Sequence, residues 1–91
     1  MKVKLFKWSN LKKHIEGDRR MEEAFEKFKQ RIELCDWTIP SDIMKSFRTA
    51  DTITCVGQPF NRIIFNVGGN KYRLICGYKF GKQSVVLYIG L

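Results

Sequence analysis

The 91-residue sequence predicts an α+β domain in which helices pack on one face of a small, mainly antiparallel β-sheet. Two observations favour this fold class. In the N-terminal half, apolar residues recur at intervals of three and four, as in amphipathic helices, whereas the C-terminal half alternates apolar and polar residues, as in half-buried strands. A chain of this length has room for one hydrophobic core, so we expect a single domain over residues 1–91.

The N-terminal half predicts a short strand followed by two helices. The strand is the alternating run Lys2–Lys7. Ser9 is the predicted cap of a first helix that ends at Gly17, and Asp18 is the predicted cap of a second. The second helix should run from residue 19 to about residue 35, because its apolar positions lie on one helical face: Met21, Ala24, Phe25, Phe28, Ile32 and Cys35. We expect this helix to cover the sheet.

Four further segments are predicted outside the hairpin. Ser41 is expected to cap a short helical turn at Asp42–Phe47, against which Trp37 packs. Ala50–Cys55 has the composition of a strand, and Val56–Phe60 that of a loop. The last strand, Ser84–Ile89, is rich in apolar residues and is predicted to be buried in the middle of the sheet.

A β-hairpin at residues 62–80 is the best defined element of the sequence. Its turn contains Gly68-Gly69-Asn70, and these residue types tolerate the positive φ angles that two-residue hairpin turns require. A turn at Gly68-Gly69 or at Gly69-Asn70 places the apolar residues of both strands on one face. A three-residue loop would pair Phe65 with Arg73 and reverse one strand, so we reject it. The opposite face then carries Arg62, Asn66, Lys71, Arg73 and Lys79.

Charge indicates the kind of partner. The net charge is +8, and after Asp51 the sequence contains no carboxylate side chain, although it contains five basic ones: Arg62, Lys71, Arg73, Lys79 and Lys82. A basic sheet without interspersed acidic residues suits a polyphosphate backbone and favours nucleic acid or the ribosome as partner. The alternative is that the charge serves solubility alone.

The remaining composition predicts a cytoplasmic protein without a metal or cofactor. Cys35, Cys55 and Cys76 are widely spaced, which is typical of reduced, buried thiols. His14 lies in a Lys-rich helix without a second ligand nearby, so a surface position is expected rather than a zinc site. We find no apolar run long enough for a membrane span and no secretory signal.

The basic face limits the chemistry that the sequence can support. Metal-dependent hydrolysis needs clustered carboxylates or histidines, and a Ser or Cys nucleophile needs a nearby base. The sequence after Asp51 contains neither carboxylates nor histidines, so neither mechanism is expected on this face. Metal-free RNA cleavage, in which the substrate 2′-hydroxyl attacks the adjacent phosphate, needs positioning and charge stabilisation. Arg73 suits stabilisation of the phosphorane, and Lys71 could neutralise charge or assist proton transfer. The alternative is that these residues only bind RNA, as expected for Arg62, Asn66, Lys79 and Lys82.

Two segments resemble a known family. NRIIFNVGGNKYRLI and WTIPSDIMKSFRTADTI are similar to the signature of HigB-type toxins of type II toxin–antitoxin systems, in the RelE/ParE superfamily, and the likeness extends over roughly residues 36–89. It implies a RelE-like microbial ribonuclease fold and cleavage of messenger RNA in the ribosomal A site. It also implies neutralisation by a HigA-like antitoxin of helix-turn-helix type. Family basic residues map onto Lys71 and Arg73, whereas Asn66, Gly69 and Asn70 match positions that shape the turn.

The sequence departs from the family at its end. Family members carry a basic residue on the last strand, where this chain has Gly90, and continue with a Thr-His…Tyr segment that contributes to the active site. We therefore expect the catalytic tail to be missing, in a truncated reading frame, a degenerate toxin or a non-toxic form. Two alternatives to an active ribonuclease follow: an inert module that still binds the ribosome or antitoxin, and a ParE-like gyrase inhibitor. The GGNKYR hairpin argues against the gyrase inhibitor.

Overall fold

The computed structural model describes residues 1–58 and 60–89, and the predictions that involve Pro59, Gly90 and Leu91 lie outside them. The elements follow the predicted order. In chain order they are β1 (Lys2–Phe6), α1 (Trp8–Ile15), α2 (Arg19–Glu33), α3 (Ser41–Ser46), β2 (Asp51–Ile53), β3 (Asn61–Val67), β4 (Tyr72–Phe80) and β5 (Ser84–Ile89). This is the α+β architecture that the sequence predicts.

The five strands form one mixed sheet in the order β1-β5-β4-β3-β2. The pairs β2–β3, β3–β4 and β4–β5 are antiparallel, whereas the pair β1–β5 is parallel. Strand β5 therefore has a neighbour on each side, as its apolar composition predicts. Strand β2 forms one edge and is only three residues long, a length that limits edge-to-edge pairing with other chains.

The core lies between the sheet and the helices. Helix α2 contributes Phe25, Phe28 and Ile32, which are buried as its apolar periodicity predicts. They meet the inward-facing residues of β3 and β4, and the rings of Phe28 and Phe65 lie edge to face with centroids 5.0 Å apart. Burial of these side chains supplies most of the free energy that stabilises the fold.

The hairpin turn resolves the two alternatives that the sequence leaves open. Val67 pairs with Tyr72 and Phe65 with Leu74, so the two-residue turn is Gly69-Asn70. The φ angles of Gly69 and Asn70 are 62° and 70°, as a primed turn requires, and the Lys71 amide donates to the Gly68 carbonyl at 3.4 Å. The three-residue loop is excluded.

Two predicted helix caps are wrong. Helix α1 begins at Trp8, so that Ser9 lies inside the helix, and the preceding residue, Lys7, makes no side-chain capping bond. Helix α3 begins at Ser41, so that Pro40 is its N-cap and no side chain caps it. Instead, the carboxylate of Asp42, in the first turn, accepts hydrogen bonds from the preceding backbone amides of Thr38 and Ile39, at 2.8 and 3.2 Å. A carboxylate is a strong acceptor, and these bonds lower the pKa of Asp42 below its ordinary value of 3.8, with a smaller contribution from Lys45.

Two further predictions for the segments outside the hairpin are confirmed, and the length of one strand is corrected. The Asp18 carboxylate caps α2 by accepting from the Met21 amide at 3.2 Å. The indole of Trp37 is buried against α3 and donates to the Ser46 hydroxyl at 3.0 Å. Strand β2 is shorter than the predicted segment at residues 50–55.

Candidate nucleic-acid interface

The sheet has one face that no helix covers, which we call the open face. It follows from the strand alternation, because the residues that alternate with the core positions point away from the helices. It carries Lys2, Lys4, Phe6, Asp51, Ile53, Arg62, Ile64, Asn66, Arg73, Ile75, Gly77, Lys79, Ser84, Val86 and Tyr88. Among these strand residues, Asp51 on the β2 edge is the one acidic side chain, so the face is strongly basic.

Arg73 and Asn66 form a pair on this face. They lie directly opposite each other on β4 and β3, so their Cα atoms are about 5 Å apart. The Asn66 amide donates to the Thr49 carbonyl at 3.1 Å, which fixes its orientation. Arg73 is exposed and forms no ion pair within the described residues. Its guanidinium can therefore bind two oxygens of one phosphate beside an oriented amide.

Arg62 and Lys79 lie at the other end of the open face. Arg62 is opposite Gly77 on β4, and Lys79 is the next outward residue along that strand. Gly77 and Arg73 are four positions apart on β4, a distance of about 13 Å along the β-strand. Arg73 at one end and Arg62 with Lys79 at the other can therefore contact different phosphates of one extended RNA strand.

Lys71 and Lys82 lie in turns outside the strands. Lys71 ends the β3–β4 turn and borders a small groove beside α2, together with Arg20, Glu23 and Lys27. It is therefore at the boundary between the sheet and α2 and not within the Arg73–Asn66 pair. Lys82 is exposed in the β4–β5 turn, at the same end of the sheet as Lys79.

Three aromatic residues on the open-face side did not figure in the sequence interpretation. Phe6 and Tyr88 are paired neighbours on β1 and β5, and Phe60 lies immediately before β3. The phenol of Tyr88 is the one tyrosine hydroxyl among the described open-face residues. The alternation within β5 already places Tyr88 on the side opposite the buried Val85, Leu87 and Ile89, so this signal was present in the sequence.

A cavity of about 800 Å³ lies elsewhere, between α1 and α2. Its walls include Trp8 and Phe25, with four glutamates and three lysines around them. Carboxylates repel phosphate, and here they outnumber the lysines, so this groove suits nucleic acid less well than the open face does.

Nucleophilic and metal chemistry find little support within the described residues. The Cys76 thiol is buried, and burial raises its pKa to about 12, so it stays protonated at neutral pH. His14 is exposed on α1, on the helix side of the sheet. In this part of the chain no three His, Cys, Asp or Glu side chains cluster as a metal site.

The fold and the open face define a class: small α+β proteins with a basic sheet face that no helix covers. Residues 21–90 match the HigB toxin family, described as the RelE-like toxic component of a toxin-antitoxin system. The chain therefore belongs to the HigB toxin family. A toxin of such a system has a cognate antitoxin, and this chain accordingly has an antitoxin as partner. No curated protein and no solved structure matches the chain.

A membrane-spanning helix is absent from the part of the chain that the structure describes, where no helix is both long and apolar enough.

Proposed function

We propose that the chain is a metal-independent, ribosome-dependent endoribonuclease that cleaves messenger RNA and so inhibits translation. The observation that carries this proposal is the Arg73–Asn66 pair on an open, basic sheet face, in a member of the HigB toxin family. Because the proposed substrate is translated messenger RNA, we expect the chain to act in the cytoplasm. Its proposed antitoxin is HigA-like, with a helix-turn-helix domain.

Arg73 is the proposed catalytic residue. In metal-free cleavage, the 2′-hydroxyl oxygen attacks the adjacent phosphorus, a 2′,3′-cyclic phosphate forms, and the 5′-oxygen leaves with a proton. Negative charge accumulates on the phosphorane oxygens, where a planar guanidinium can donate two hydrogen bonds. Asn66 orients the same nucleotide, and Lys71 at the adjoining turn contributes positive charge or assists proton transfer. Arg62, Lys79 and Lys82 bind the flanking phosphates.

A catalytically inert binding module is the second candidate. It is favoured by the absence of an imidazole from the open face within the described residues, since proton transfer would then depend on groups outside the Arg73–Asn66 pair. An inert module would still associate with ribosomes or with the antitoxin.

The test is to induce the chain in growing bacteria and map the 5′ ends of messenger RNA. We expect new 5′ ends within codons of translated messages, lost in Arg73→Ala and partly retained in Arg73→Lys. Arg19→Ala is the matched control, because Arg19 is exposed at the start of α2, away from the open face.

Two results separate the candidates. Ribosome co-sedimentation without new 5′ ends would support the inert module. Cuts that persist in Arg73→Ala would exclude Arg73 from catalysis. Loss of the cuts supports its catalytic role, provided that the variant unfolds at the wild-type temperature. That proviso is expected to hold, since an exposed side chain contributes within about 0.5 kcal/mol to stability.

A further inference from the structure

Three aromatic side chains on the open-face side lie outside the hydrophobic core. Phe6 ends β1, Tyr88 lies in β5, and Phe60 immediately precedes β3. Among the described residues, these three belong neither to the buried core cluster nor to the half-buried apolar residues that pack against it. Phe6 is 46% exposed. We call these three side chains the aromatic patch, and core packing does not account for their position.

The rings of Phe60 and Tyr88 lie next to each other. Their centroids are 5.6 Å apart and their planes are inclined by 42°. Gly77 is the β4 residue between Arg62 of β3 and Tyr88 of β5. Because Gly77 has no side chain, rings from the two neighbouring strands can approach over it, and Gly77 is buried although it lies on the open face. Phe60 and Tyr88 therefore form a pair of neighbouring rings, and Phe6 lies beside Tyr88 in the register of β1 and β5.

Basic groups surround the aromatic patch. The Lys7 ammonium lies 5.2 Å from the centroid of the Tyr88 ring, and the Arg62 guanidinium donates to the Phe60 carbonyl at 3.1 Å. Lys4 and Lys79 are the next outward residues beside Phe6 and Gly77 on their strands. The acidic strand residue of this face, Asp51, lies on β2 and pairs with Ile64, beyond Arg62.

We infer that the aromatic patch is a stacking site for the bases of single-stranded RNA, an inference that rests on the proposed function. Phe6 is exposed, and Phe60 and Tyr88 are half-buried. Aromatic rings at the surface with cations beside them combine the two features that bind single strands, since every base has a π-face and every linkage a phosphate. An apolar surface for a protein partner would need no cations beside it. Because the patch lies about 13 Å from Arg73 along β4, it holds a base that flanks the cleaved linkage.

The experiment compares RNA with and without bases. The probes are a fluorescent oligoadenylate of about 8 nucleotides, within the site size of small single-strand-binding folds, and an abasic oligomer with the same number of phosphates. Both carry 2′-O-methyl groups, so that the attacking hydroxyl is blocked and cleavage cannot distort the titration. Affinity is measured by fluorescence anisotropy with the full chain.

We expect the wild-type chain to bind the oligoadenylate about 10-fold more tightly than the abasic oligomer, as the loss of stacking on an aromatic side chain implies. Tyr88→Ala and Phe60→Ala should remove this preference, while Tyr88→Phe keeps it. Lys79→Ala should weaken binding of both probes equally and reduce the salt slope by about one phosphate. The variants are compared at equal folded fraction, checked by circular dichroism.

Equal affinity of the wild-type chain for the two probes would overturn the stacking site. So would a preference that survives both alanine variants, which would leave the patch as a contact for a protein partner. Failure of the proposed function can be distinguished from failure of the stacking site. A base preference without new 5′ ends in cells would reject cleavage and support stacking. New 5′ ends without a base preference would support cleavage and reject stacking.

Discussion

Phe65 lies at the centre of the core, and its truncation to alanine should be among the most destabilising changes in the chain. The side chain is fully buried, with its ring edge-on to Phe28 at 5.0 Å and to Phe47 at 5.1 Å. Phe→Ala substitutions at buried sites cost about 3–5 kcal/mol. Since each aromatic pair adds about 0.5–1.5 kcal/mol beyond burial, we expect a value near the upper limit.

That cost is large against the whole stability of the domain. At about 0.05–0.15 kcal/mol per residue, a chain of 91 residues is stable by roughly 5–14 kcal/mol. With a urea m value of about 1.5 kcal/mol per molar, the loss should lower the unfolding midpoint by about 3 M. If the stability lies at the lower limit, the variant will be largely unfolded without urea.

The matched control is Phe6→Ala, which removes the same atoms from a half-exposed position outside the core cluster. We expect its cost to be below about 1.5 kcal/mol, in proportion to the smaller buried area. Urea titrations followed by circular dichroism measure both variants. A Phe65→Ala variant that is no less stable than Phe6→Ala would refute the assignment of the core.

Three further predictions concern single side chains. Asp42→Asn should lower stability at neutral pH, because a depressed pKa gives stability that is fully present above the ordinary value of 3.8 and is lost as the pH falls through the lower pKa of the folded state; urea titrations from pH 7 to 2 test this, and a difference independent of pH would contradict it. Cys76 should resist iodoacetamide in the folded chain, since burial raises its pKa to about 12, whereas the half-buried Cys35 and Cys55 should react before it; peptide mass mapping with and without urea checks the order, and early labelling of Cys76 would contradict its burial. Asn70→Val should cost about 1–2 kcal/mol because φ is positive there, while Asn70→Gly should be tolerated; equal midpoints for the two variants would argue against the Gly69-Asn70 turn.

The sequence predicts most of the fold because its periodic signals are local and strong. The apolar residues of α2 and the alternation of β3 and β4 place Phe28 and Phe65 correctly in the core. The caps are less predictable, because the position at which a helix begins is set by a few backbone angles that composition does not determine. Ser9 and Ser41 each lie within the helix rather than at the predicted capping position, since α1 begins at Trp8 and α3 at Ser41.

The candidate interface could be predicted only in part. Alternation on β4 assigns Arg73 to the open face, but the location of Lys71 beside α2 depends on packing of the turn. The approach of Phe60 to Tyr88 depends on which strands are neighbours, and strand order is not encoded in local periodicity. The parallel pairing of β1 with β5 is likewise a property of the whole sheet.

The β1–β5 pairing has a consequence for biosynthesis. Lys2 pairs with Ser84 and Phe6 with Tyr88, so β1 leaves the ribosome long before the strand with which it pairs. Contacts between such distant positions form late, because a long loop must close before they are made. A nascent chain therefore lacks both the complete sheet and the full aromatic patch until residues 84–89 have emerged.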